Sequence, residues 1–150
     1  MDLKAFDDIN DVLKKALKAD PGIKKIILTD RTGITIAHAS KSLEYLVEID
    51  ELGVIASHIF CASKELGQNL ELSDLSIITL EFDDGRIRIA ACGNGIISFF
   101  TERDVCVIRL LLKSLENELI ELIDKYLKDP IIEAHKLNKM LSEAFFNVED

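Results

Sequence analysis

The chain has no apolar run long enough to cross a membrane. Its longest stretch without a charged residue, Ile89 to Thr101, falls well short of the ~18–20 residues that a helical span needs. The first residues, MDLKAFDD, lack the basic start and apolar core of a signal peptide, so a cytoplasmic setting is expected. Cysteine is scarce. Cys61, Cys92 and Cys106 are odd in number and form no C-x-x-C. They sit in apolar segments, and read as reduced core residues rather than a disulfide framework. Positive charge is in the minority, leaving a net charge of −9. Such a chain repels phosphate backbones and anionic lipid heads, which excludes nucleic acid and membrane insertion.

Catalytic signatures are missing as well. His38, His58 and His135 lie on three separate predicted elements, and no pair has metal-ligand spacing. Gly93-Asn94-Gly95 is followed by a predicted strand, whereas a phosphate cradle needs a helix N-terminus and a further glycine or lysine. No serine or cysteine sits in a nucleophile elbow. Asp83 and Asp84 are accounted for by a turn. No cofactor, metal or enzymatic activity is expected.

What is present is a globular composition, 48% hydrophobic and 30% charged over 150 residues, which fits one domain. Residues 75–101, LSIITLEFDDGRIRIAACGNGIISFFT, read as three strands joined by turns at Asp83-Asp84-Gly85 and Gly93-Asn94-Gly95. The first two alternate, and the third, Ile96 to Phe100, is apolar on both faces and needs cover on both. Ile23 to Asp30 and Ile34 to Ala39 form a second hairpin around Arg31-Thr32-Gly33. A helix over 3–18 precedes it, with Leu3, Phe6, Ile9, Leu13, Ala16 and Leu17 on one stripe.

The middle helix, Ile49 to Leu66, is apolar around most of its circumference. Leu52, Ile55, Ala56, Ile59, Ala62, Ser63 and Leu66 make a wide stripe expected to face the sheet. Gly53, Val54, Ser57, Phe60 and Cys61 occupy much of the other side. That second side needs a cover, which is either the connector 41–48 or a second subunit. If a subunit covers it, the strand Ser76 to Phe82 is expected at a sheet edge, because pairing with its own copy removes an aggregation hazard.

Thr101-Glu102-Arg103-Asp104 has capping-box form and predicts a helix from there to about Leu127. At ~1.5 Å per residue it outruns the sheet and needs a further apolar surface. A last helix beginning near Pro130, with Ala134, Leu137, Leu141 and Phe145 on a stripe, would supply one, packed antiparallel or on a neighbouring subunit. The expected fold is α+β, in the order α-β-β-α-β-β-β-α. A five-stranded antiparallel sheet carries one helix on one face and two on the other, plus an extra C-terminal helix. Residues 1–127 form the domain and 128–150 a helical extension. Arg86 and Arg88, with Lys64, are candidates for a solvated or partner-facing surface, Arg86 and Arg88 pairing across to Glu81.

The order of elements, the turn Thr29-Asp30-Arg31-Thr32-Gly33-Ile34-Thr35-Ile36-Ala37, the small-residue helix and the meander closing into a long helix resemble the roadblock (dynein light chain, roadblock-type) family. The related longin domain shares much of this order. The resemblance covers about residues 3–125. It implies a non-enzymatic homodimer that binds a Ras-like small GTPase. Its pairing positions would be Gly53, Val54, Ser57, Phe60 and Cys61 on the helix and Ile77, Thr79 and Glu81 on the strand. Residues 128–150 depart from the family core. Two alternatives are a small-molecule sensor similar to PAS or GAF domains, which needs a concave pocket between sheet and helix, and a purely architectural subunit.

Overall fold

The computed structural model describes residues 3–41, 48–127 and 140–141. Its elements run α1 (Leu3–Leu17), β1 (Ile23–Asp30), β2 (Thr35–Ser40), α2 (Ile49–Asn69), β3 (Ile78–Phe82), β4 (Gly85–Cys92), β5 (Gly95–Thr101) and α3 (Ile108–Leu127). The five strands form one antiparallel sheet in the order β2-β1-β5-β4-β3. β5 is the middle strand, which explains why both of its faces are apolar. β3 lies at one edge, as its placement beside a partner would require, and β2 lies at the other.

Pleating divides the sheet into two differently covered faces. Ile26, Leu28, Ala90, Cys92, Ile97 and Phe99 join α1 and α3 in the larger core. α1 contributes Ile9, Leu13, Ala16 and Leu17, and α3 contributes Ile108, Leu112, Leu115, Leu119 and Ile123. The two helices also meet through Phe6 and Tyr126, whose rings stack with centroids 6.2 Å apart. On the other face, Ile89 and Ile96 pack against Ala56 and Phe60 of α2. One helix on one face and two on the other is the layering expected from the order of elements.

Three local expectations are corrected. First, Thr101 does not cap a helix. It pairs with Arg86 and Ile23 as the last residue of β5, and α3 begins only at Ile108. The ladder holds Thr101 extended, while Val105 turns inward and is buried beside Gly22. Second, β3 starts at Ile78, so Ile77 precedes the strand, half-buried against the larger core. Third, only Cys92 is a core cysteine; Cys61 and Cys106 are exposed. The C-terminal helix and the cover by connector 41–48 fall largely outside the described residues. Of that helix, Met140 and Leu141 are described and are helical.

The turn between β1 and β2 locks α2 onto the sheet. Asp30 Oδ1 accepts hydrogen bonds from Thr32 N (2.8 Å), Thr32 Oγ1 (2.7 Å) and Ile34 N (3.1 Å), the self-bonding that suits aspartate to turns. Gly33 adopts φ +95°, and a Cβ there would stand 3.1 Å from Val54 Cα, so both backbone freedom and space call for glycine. The turn presents the Arg31 carbonyl to α2, where it accepts from Ser57 Oγ (3.0 Å) and Cys61 Sγ (3.8 Å). The Arg31 guanidinium lies 5.6 Å from the Phe60 ring centroid, within cation–π range. Its Nη2 donates to Gly93 O at 2.9 Å, tying the β4–β5 turn into the same cluster. Gly53 completes the seat: a Cβ there would be 2.8 Å from Thr29 Cγ2.

Two outcomes follow from this packing. Gly53→Val pushes α2 off β1 and is expected to lower stability by about 1–3 kcal/mol, the usual scale of overpacking, read as an earlier urea midpoint at unchanged slope. Burial, with Glu116 nearby, pushes the Cys92 thiol from 9.0 up to about 12. The unfolded thiol therefore loses its proton first. The stability carried by the neutral buried thiol is complete below about pH 9 and declines as pH rises toward 12. At pH 8 iodoacetamide should modify Cys61 and Cys106 in the native chain and reach Cys92 only after unfolding.

Candidate protein-interaction face

The seat on the turn fixes the roll of α2, and the roll decides what the helix shows to solvent. Ile49, Gly53, Ala56, Ser57 and Phe60 are its buried residues. The wide apolar stripe expected to face the sheet is instead turned partly outward. Ile55 is 55% exposed and Leu66 61%, and Val54 beside them is 40% exposed. Leu52 and Ile59 remain half-buried. A helix that shows its more apolar side to water has a surface left to cover.

Beside this helix face lies the open margin of the sheet. Ile78 and Leu80 of β3, with Ile87 of β4, are half-buried residues packed around the Ala56–Phe60 cluster. Among the described residues β3 pairs with β4 alone, so its outer edge meets no further described strand. Phe82, at the end of β3, is 54% exposed. An outward apolar helix face therefore adjoins an unpaired strand edge.

The structure separates the residues singled out for pairing. Val54 and Cys61 are exposed on α2, and Thr79 and Glu81 are exposed on β3. Gly53, Ser57 and Phe60 are not surface residues. Phe60 is 1% exposed and Ser57 1%, because the small side chains admit the chain's own Thr29 and Arg31, not a partner. Ile77, Thr79 and Glu81 also alternate away from α2, and Ile78 and Leu80 are the residues on its side. Residues that the sequence reading placed against the sheet, Ile55 and Leu66, belong to the exposed set. The signal for them was the width of the stripe, which one sheet face does not cover.

The three cations resolve differently. Arg86 Nε lies 3.0 Å from Glu81 Oε1, an ion pair across the β3–β4 register without hydrogen-bond alignment at that nitrogen. Arg88 is half-buried, and its Nη1 donates to Val105 O at 3.0 Å. It anchors the segment leading into α3 rather than offering itself to a partner. Lys64 is half-buried on α2.

Among the described residues, no three of His, Cys, Asp and Glu are grouped to hold a metal ion, and no helix is long and apolar enough to cross a membrane. The space between α2 and the sheet, where a sensor pocket would lie, is filled by Phe60, Ile89 and Ile96. Open grooves of about 290 and 400 Å³ lie on either side of α3.

This fold recurs in solved structures. The gliding protein MglB from Thermus thermophilus is 15% identical, with a TM-score of 0.70 over 81% of this chain and 92% of that one. Myxococcus xanthus MglB is 17% identical, with a TM-score of 0.71 over 80% and 90%. A Roadblock/LC7 domain from Streptomyces avermitilis is 13% identical, with a TM-score of 0.65 over 79% and 96%. At these identities the likeness concerns the fold. No curated protein matches the chain by sequence. The family model of the Roadblock/LC7 domain matches residues 9–98, from within α1 to within β5. The chain belongs to the Roadblock/LC7 family.

Proposed function

We propose that this chain is a non-enzymatic, cytoplasmic homodimer that serves as a platform for a Ras-like small GTPase. The observation that carries the dimer is the outward roll of α2 beside the free edge of β3. Two copies related by a twofold axis would bury Val54, Ile55 and Leu66 against their counterparts and join two β3 edges, turning two sheets into one. Self-association has a precedent in the fold, since one MglB is described in a tetrameric arrangement. The GTPase part rests on membership of the roadblock family, whose members commonly act as platforms for such enzymes. A sensor reading loses support because α2 and the sheet enclose packed side chains rather than a pocket.

Light scattering at micromolar concentration should give about twice the 16.8 kDa chain mass. Ile55→Glu or Val54→Lys places a charge in the apolar contact and should yield folded monomers. Phe60→Glu should instead unfold the chain, because Phe60 is internal. A wild-type monomer would overturn the dimer. Nucleotide exchange and hydrolysis by a small GTPase from the same genome should change at least tenfold on adding the dimer. Stable binding with unchanged rates would reduce the role to tethering, and absence of binding would leave an architectural subunit.

A further inference from the structure

Both grooves beside α3 have cationic rims, but the cations have different causes. The groove against α1 is bordered by Lys15 and Lys18. Lys15 stands in the last turn of α1, where the helix dipole favours a cation. The other groove lies between the start of α3 and the residues leading into β3, with buried Leu112 and half-buried Ile77 as its floor. Arg109 and Lys113 border it one turn apart on α3, and Glu116 marks its far end. The first turn of α3 holds no acid, so Arg109 stands where the dipole opposes a cation. We propose that this groove binds a short acidic segment of a partner protein. One large apolar side chain of the segment lies over Ile77 and Leu112, and its carboxylates pair with Arg109 and Lys113.

Charge and exposure support this occupant. Arg109 and Lys113 are exposed, and neither makes an ion pair or hydrogen bond among the described residues. Leu110, on the lip of the groove, is 74% exposed, more than any other large apolar side chain described. These groups serve neither the helix nor a described neighbour, yet they surround an apolar trench. The chain carries −9 overall, and the two cations reverse that sign locally, which draws carboxylates to the groove mouth. Glu116 repels acids from the other end and so sets the direction in which the segment lies. A nucleic-acid backbone or an anionic bilayer presents continuous negative charge, which Glu116 and the net charge oppose; a short segment avoids both. Ile77 packs against the larger core, so the groove opens on the side of the sheet away from α2. The site goes beyond the dimer reading and does not draw on it, since the α2 face and this groove are separate surfaces.

Selection of a phage-displayed random peptide library on the full chain tests this. Enriched peptides should carry paired acids beside a leucine, phenylalanine or tryptophan. A synthetic copy of the commonest should shift the amide signals of residues 76–77 and 109–116. Arg109→Glu with Lys113→Glu should weaken that peptide by roughly tenfold or more, and the peptide with its acids changed to lysine should bind the variant instead. Because acids suit the start of a helix, the variant's urea midpoint should equal or exceed that of the wild type. A lower midpoint would show that the cations serve the fold and would overturn the proposal. Peptides without acids, or binding indifferent to the charge reversal, would overturn it too. Equal affinity after serine replaces the apolar residue would overturn it in favour of a simple anion site. Binding to phosphatidylserine vesicles that the peptide does not displace would overturn it in favour of a membrane surface. Ile55→Glu should leave the affinity unchanged, which separates this test from that of the dimer; loss of binding there would move the site to the α2 face.

Discussion

The structure depends on how the β1–β2 turn grips α2. One carbonyl, that of Arg31, receives Ser57 and Cys61 from successive turns of the helix, and one side chain, its guanidinium, bridges Phe60 and the β4–β5 turn. Two glycines permit the contact, Gly33 by its positive φ and Gly53 by the absence of a Cβ. A helix held at these points has no freedom to roll. Its exposed side is then a consequence of polar and steric anchoring rather than of hydrophobicity.

That anchoring leaves apolar surface unused. Burial by the sheet would ordinarily claim Ile55 and Leu66, each worth roughly 1.5–3 kcal/mol if fully covered, yet both are more than half exposed. β3 beside it is short and is the last of the described strands on that side of the sheet. The proposed dimer would use both features at once, the apolar helix face and the outer edge of β3.

Much of the fold was legible because its signals are local. Alternation marked the strands, the D-D-G and G-N-G turns marked the reversals, and the doubly apolar Ile96–Phe100 marked the central strand. The errors share a cause. Thr101-x-x-Asp104 carries the residues of a capping box, but pairing with Arg86 and Ile23 holds Thr101 in the sheet. Gly53 and Ser57 announced a close approach, but the sequence does not say to whom, and the partner proved to be Thr29 and Arg31 of the same chain. Arg88 looked like a surface cation until the Val105 carbonyl was found beside it.

By itself the sequence determined the class and order of the elements, the face count of the sheet and the absence of recognisable catalytic motifs, because periodicity and turn chemistry are properties of neighbouring residues. It also carried enough family signal for residues 9–98 to match the Roadblock/LC7 domain. Only the tertiary structure decided which side of α2 faces outward. That choice rests on hydrogen bonds and steric gaps between residues 29–33 and 53–61, distant in sequence, whose combined hold outweighs the helix's own apolar stripe. The apolar residues of α2 were present in the composition, but the grip of a turn decided which of them are exposed.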